Sequence, residues 1–156
     1  MRRFGLFQYA CLLWFVNVVI VILSYFVSSV RYAALLLYPA VFIAFGSMII
    51  LGHKEGIGFE QVLKNSAAWS KAIAFTSVIY TFVNFFICMF LLREGGPHID
   101  NGVYCLWNHS FIREITKDEY EALLLVEGRM SVGHLLAFSA IPVVFFSGRK
   151  SMKHLD

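Results

Sequence analysis

Residues 7–29 read FQYACLLWFVNVVIVILSYFVSS, a run of 23 residues without a charged side chain. A helix needs about 20 such residues to cross the roughly 30 Å hydrocarbon core of a bilayer. A cleaved secretory signal would have a shorter apolar run and a small-residue cleavage site, and Ser24-Tyr25-Phe26 is a poor one. We therefore expect an uncleaved first membrane span behind the basic start Met1-Arg2-Arg3.

The composition of the whole chain indicates the same class of protein. Of its 156 residues, 59% are hydrophobic and only 15% are charged, against roughly 25% charged in a soluble domain. The mean hydropathy is +0.71. A single soluble core of this size cannot bury so much apolar surface. These values exclude a soluble globular domain, a disordered tail and a collagen-like fibre, and they predict one integral membrane domain over residues 1–156.

Three further apolar runs follow the first, over residues 32–51, 72–92 and 131–147. The last run is the shortest, and it contains His134 and Pro142. The four runs predict an all-α, four-transmembrane-helix bundle whose first two spans form a tight hairpin around Arg31.

The distribution of Lys and Arg predicts the orientation, because short cytoplasmic loops carry an excess of these residues. With a cytoplasmic N-terminus, eight basic residues lie inside: Arg2, Arg3, Lys54, Lys64, Lys71, Arg149, Lys150 and Lys153. Five then lie outside: Arg31, Arg93, Arg113, Lys117 and Arg129. We expect both termini in the cytoplasm, residues 94–130 outside, and a location in a bacterial inner membrane or a plasma membrane.

The segment between the second and third spans predicts a short amphipathic helix at the membrane surface. Phe59, Val62 and Leu63 share one face at i, i+3 and i+4. The preceding Gly56-Ile57-Gly58 lacks the strand and the third glycine of a phosphate-binding loop, so we interpret it as a flexible turn.

Residues 94–130 predict a small extracytoplasmic cap made of a β-hairpin and a short helix. The two strands cover residues 103–107 and 111–115 around Asn108-His109-Ser110. With that three-residue loop, Arg113 would share a face with Cys105 and Trp107. Thr116-Lys117-Asp118-Glu119 fits a capping box and predicts a helix through about Gly128.

Three polar side chains interrupt the apolar spans: Asn17, Asn84 and His134. Lipid offers them no hydrogen-bond partner, so each must find one in protein. We expect interhelical hydrogen bonds, and a mutual pair of Asn17 and Asn84 is compatible with their depths. The functional alternatives are an ion or substrate contact for the asparagines and a pH-sensing or proton-relay role for His134.

The sequence contains no motif that specifies a reaction. It has no GxSxG, HExxH or CxxC pattern, and Cys11, Cys88 and Cys105 are too widely spaced for a disulfide framework. The polar residues of the cap match no structural zinc spacing. We therefore expect no metal, no cofactor and no catalytic site, and the absence of a clustered basic face argues against nucleic acid.

These observations favour a non-catalytic membrane protein that acts through protein–protein interaction, as an accessory or regulatory subunit, a sensor or an immunity-like factor. Its predicted interaction surface is Trp107, Arg113 and Tyr120 in the cap. Its expected partners are the lipid bilayer and either a second copy or another membrane protein. Two alternatives stay open, a subunit of a homo-oligomeric channel or transporter with Asn17 and Asn84 on a shared axis, and a membrane-embedded enzyme using His134.

Overall fold

The computed structural model describes residues 5–152, so Arg2, Arg3 and Lys153 of the orientation argument lie outside the described residues. Four helices come first, with a 3-10 turn (Ser28–Val30) before the second: α1 (Leu6–Leu23), α2 (Arg31–Glu55), α3 (Phe59–Asn65) and α4 (Ala68–Leu91). Three strands and a last helix follow: β1 (Gly96–Asp100), β2 (Val103–Trp107), β3 (Phe111–Glu114) and α5 (Lys117–Met152).

Among the described residues, four helices are long and apolar enough to cross a membrane, as predicted: α1, α2 with its preceding turn, α4 and α5. The predicted boundary between a short cap helix and a fourth span is wrong, because both belong to the 36-residue α5. Gly128 and Gly133 do not break this helix, since a helical glycine costs only about 1 kcal/mol relative to alanine. At 1.5 Å per residue α5 is roughly 54 Å long, so its first turns extend beyond a membrane span of residues 131–147.

Helix α5 is the centre of the molecule, and α1, α2 and α4 pack around it. In the most apolar 18-residue stretch of α5, 67% of the residues are buried. In the corresponding stretches of the other three long helices, 17–22% are buried. One core cluster joins Leu135 of α5 to Leu13 of α1 and Val41 of α2. A second joins Val143 to Ala10 and to Val62 of α3.

The predicted short helix is present as α3, where Val62 is fully buried and Phe59 on the same predicted face is exposed. It lies against the C-terminal end of α5, where the Ser66 hydroxyl donates a hydrogen bond to the Val144 carbonyl oxygen over 3.0 Å. At the same end of the molecule, here called the α3 end, an ion pair between Arg149 Nη2 and Glu55 Oε1 at 2.5 Å links α5 to α2.

At the opposite end, the cap end, the three strands form an antiparallel sheet in the order β1-β2-β3. The predicted hairpin corresponds to β2 and β3, and the structure adds β1. Asn101 and Gly102 both have positive φ and form the tight turn between β1 and β2. Pro97 is tolerated in β1 because this strand lies at the edge of the sheet.

A β-bulge in the hairpin corrects the predicted pairing. Trp107 lies opposite Phe111, but Leu106 lies opposite Arg113, so Ile112 is an extra residue on β3. The strand ends at Glu114 rather than at residue 115. Because of the bulge, Arg113 does not share a face with Trp107 and Cys105.

Candidate functional site

Arg113 holds three parts of the cap together. Its Nη2 atom lies 2.6 Å from Glu119 Oε1 in α5 and 3.3 Å from Glu94 Oε2 in the segment after α4. The hydrogen bond that Arg113 donates to Glu119 raises the pKa of Arg113 and lowers the pKa of Glu119, which lies in the first turn of α5. Arg113 is therefore engaged within the cap.

At the start of α5, one of the two hydrogen bonds of the predicted capping box forms. The Glu119 amide donates to the Thr116 hydroxyl over 3.1 Å, whereas the Glu119 carboxylate binds Arg113 instead of returning to the backbone. One residue further, the Tyr120 ring packs on the Tyr104 ring of β2 with 4.8 Å between centroids. Tyr120 thus joins the sheet to α5.

Trp107, the third predicted surface residue, is 39% exposed and packs beside the His98 ring. It belongs to a set of large apolar side chains of the sheet that are 39–51% exposed, here called the apolar sheet residues: Ile99, Val103, Trp107, Phe111 and Ile112. Trp107 and Phe111 are a cross-strand pair. Sequence reasoning singles out Trp107 alone, although the alternation of β2 also places Val103 on its side of the strand.

The two asparagines of the long apolar helices have different partners, so the mutual pair does not form. Asn17 is fully buried, and its amide donates within α1 to the Leu13 carbonyl oxygen over 3.0 Å. Its Oδ1 atom has no hydrogen-bond partner in the described part of the chain. Asn84 instead links α4 to α5, because its amide donates to the Arg129 carbonyl oxygen over 3.1 Å.

His134 joins α5 to α2. Its Nδ1 atom lies 2.9 Å from the Met130 carbonyl oxygen, which can only accept, so Nδ1 carries the proton. Nε2 forms a hydrogen bond with the Tyr38 hydroxyl, which also lies 3.4 Å from the Ser131 carbonyl oxygen. Both ring nitrogens are therefore occupied by contacts within the protein.

A cluster of charged and aromatic residues at the cap ends of the helices is not predicted as a unit by the sequence. Arg31 Nη1 pairs with Glu127 Oε2 at 3.5 Å. The guanidinium of Arg129 lies 4.7 Å from the centroid of the Tyr25 ring, and the Tyr25 hydroxyl lies 3.2 Å from that of Tyr80. In the sequence these charged residues are visible beside the ends of the apolar runs. That position indicates only charged residues in loops and does not show that they contact one another.

Within residues 5–152 no group of three or more His, Cys, Asp or Glu side chains could hold a metal ion. Cys11, Cys88 and Cys105 are free thiols. Comparison of the chain with protein-family models, with curated proteins and with solved structures finds no match. The geometry described above is therefore the basis for assigning a function.

Proposed function

We propose that this chain is a non-catalytic multi-pass membrane protein whose cap binds another protein. The observation that carries the proposal is the exposure of the apolar sheet residues, each 39–51% accessible on one small sheet. Single exposed apolar side chains are ordinary, but Val103, Trp107 and Phe111 lie on one face of the hairpin, and a contiguous exposed apolar patch is typical of an interaction site.

Membrane placement is the first part of this proposal. The outward faces of α1, α2 and α4 expose large apolar side chains, such as Phe15 at 59%, Leu36 at 81% and Phe75 at 69%. Such surfaces are unfavourable in water and are solvated by lipid tails. We place both termini in the cytoplasm, the cap outside, and the protein in a bacterial inner membrane or a plasma membrane, following the bias of Lys and Arg.

The contacts within the cap favour a different set of residues for the interaction surface from the set predicted from the sequence. Arg113 and Tyr120 are engaged in contacts that assemble the cap, so they are less suited to a partner than side chains without such contacts. Trp107, Val103 and Phe111 lie on the exposed hairpin and offer the aromatic and aliphatic anchors that protein interfaces favour.

The channel and enzyme alternatives have less support in the geometry. Helix α5 occupies the space between α1, α2 and α4, so a pathway would have to form between copies of the chain. Asn17 is fully buried, and His134 uses both ring nitrogens for contacts with α2 and α5. We therefore propose that His134 and Asn84 act as contacts between helices and that Asn17, buried within one chain, lines no pathway.

The proposal is tested by replacing Phe111 or Val103 with a photo-crosslinking amino acid in intact cells. We expect one discrete adduct with a second protein from either position. The matched control is Asp118, an exposed residue of the same cap at the start of α5, which should give none. Adding Trp107→Ser to the chain that carries the crosslinker at position 111 should reduce the adduct. Adducts with lipid alone would contradict the proposal, and adducts with a second copy alone would favour a homo-oligomer.

A further inference from the structure

Helices α1 and α4 both pack on α5 but leave a groove of about 480 Å³ between them. Each helix contributes one stripe of side chains at a spacing of four residues. These two stripes, which form part of the lining, are Trp14, Val18 and Ile22 of α1 and Ala72, Thr76 and Tyr80 of α4. With the chain in a bilayer as proposed above, the groove lies in the hydrocarbon region beside α5.

Several polar atoms along the groove are already paired across it. The indole N–H of Trp14 donates to the Ser77 hydroxyl over 3.1 Å. The hydroxyl groups of Tyr25 and Tyr80 lie 3.2 Å apart. The groove therefore offers mainly aliphatic and aromatic surface, which an apolar chain fits.

A cation lies at the cap end of the groove. Asn84, one helical turn beyond Tyr80, donates to the Arg129 backbone, so Arg129 lies at that level. Its guanidinium stacks on the Tyr25 ring, whose hydroxyl contacts Tyr80. The Arg129 Nε atom is buried without a hydrogen-bond partner, and the guanidinium forms no ion pair with any residue of the described range. A guanidinium with a buried, unpaired N–H group is stabilised by an anion, and here the anion would have to come from outside the chain.

The length of the groove selects the occupant. From Ala72 to Tyr80 it covers nine residues of α4, about 12 Å of helix, which is close to the thickness of one leaflet of a core roughly 30 Å thick. A partner helix would need a complementary face over the full span. A lipid acyl chain needs only one leaflet, and its phosphate would supply the anion. We propose that this groove binds an acyl chain of an anionic phospholipid, with the phosphate on Arg129.

The test uses Trp14 as a reporter inside the groove. The full chain carrying Trp69→Phe and Trp107→Phe keeps Trp14 as its one tryptophan. It is reconstituted in phosphatidylcholine vesicles that contain a minor fraction of either phosphatidylglycerol or phosphatidylcholine with brominated acyl chains. We expect the brominated phosphatidylglycerol to quench Trp14 at about fivefold lower mole fraction, the factor expected for one basic residue facing an anionic headgroup.

Matched variants separate the headgroup from the chain. Arg129→Gln should abolish the preference for phosphatidylglycerol, and Arg129→Lys should retain most of it. Arg93→Gln should not change it, although Arg93 also stacks on an aromatic ring, 4.7 Å from the Phe90 centroid. Ala72→Phe fills the groove and should reduce quenching by both lipids, whereas Val83→Phe, on an exposed position of α4, should not.

Equal quenching of Trp14 by the two brominated lipids, in the chain with Arg129 intact, would overturn the headgroup assignment even if Arg129→Gln fails to fold. Quenching that is the same with and without Ala72→Phe would overturn the groove as the site. Quenching that disappears as the protein-to-lipid ratio rises would show that a second copy covers the groove, which would also overturn the proposal.

Discussion

Asn17 and Asn84 are the same residue type in similar surroundings, but their hydrogen bonds predict opposite effects on stability. Asn17 leaves a buried Oδ1 atom without a partner, and such an atom costs about 1–3 kcal/mol. We expect Asn17→Leu to raise the free energy of unfolding by about 1 kcal/mol. Asn84→Leu should lower it by about 1 kcal/mol because the bond to the Arg129 carbonyl is lost. Unfolding in mixed micelles measures both, and a loss of stability in Asn17→Leu would contradict this account.

At this scale the sequence predicts which residues need partners but not which partners they find. An asparagine in an apolar run is visible by inspection. The partner of Asn84, however, is a backbone carbonyl 45 residues away, and a backbone carbonyl is the same at every position. His134 is similar, because its contact with Tyr38 depends on how α2 packs against α5.

At the scale of elements, the packing of α3 on α5 depends on Gly148. A Cβ atom at this position would lie 2.6 Å from the Val62 carbonyl oxygen and 2.7 Å from the Ser66 hydroxyl. We expect Gly148→Ala to destabilise the fold by about 1–3 kcal/mol, the usual cost of overpacking. The control is Gly46→Ala in α2, where nothing lies within 4 Å of the added atom, and where alanine should stabilise by about 0.5–1 kcal/mol. Equal thermal stability of the two variants would contradict this packing.

The ion pair between Arg113 and Glu119 makes the stability of the cap depend on pH. Because Arg113 lowers the pKa of Glu119, the stabilising contribution is complete above the unfolded value of about 4.3 and is lost as the pH falls through the lowered folded value. We expect hydrogen exchange in β3, corrected for intrinsic rates, to accelerate on acidification in that range. Arg113→Met should show the faster exchange already at pH 7. Lys117→Met, which removes the exposed pair with Glu121, should not.

The elements also show what the sequence could not predict. Hydropathy locates the four long helices, because lipid exposure requires long apolar runs. It could not predict β1, whose sequence GPHID has no apolar alternation and which forms because the Asn101-Gly102 turn brings it beside β2. Nor could it place Ile112 as a bulge, because the predicted three-residue loop already pairs Trp107 with Phe111 and the register shifts only beyond that pair.

For the whole molecule, the most buried of the four long helices is also the least apolar. Helix α5 has the lowest hydropathy of the four long helices, 1.7 against 2.0–2.3, yet it is the most buried. Helices that face lipid must be apolar over most of their surface, whereas a helix surrounded by protein can carry glycine, serine and histidine. The least apolar span is therefore the expected centre of such a bundle, and the weakness of the fourth apolar run is itself a signal of its position.

The orientation of the molecule is decided by which end carries the basic residues. Lys64 lies in α3, and Lys54 and Lys71 lie in the adjacent turns of α2 and α4, which predicts that the α3 end faces the cytoplasm. We expect a membrane-impermeant maleimide to label Asn101→Cys in intact cells and Glu60→Cys only after permeabilisation, with the unsubstituted chain as the control for Cys11, Cys88 and Cys105. Asn101 lies in the turn of the cap and Glu60 on the exposed side of α3. The reverse pattern would place the cap in the cytoplasm, and the partner proposed for it would then have to be a cytoplasmic protein.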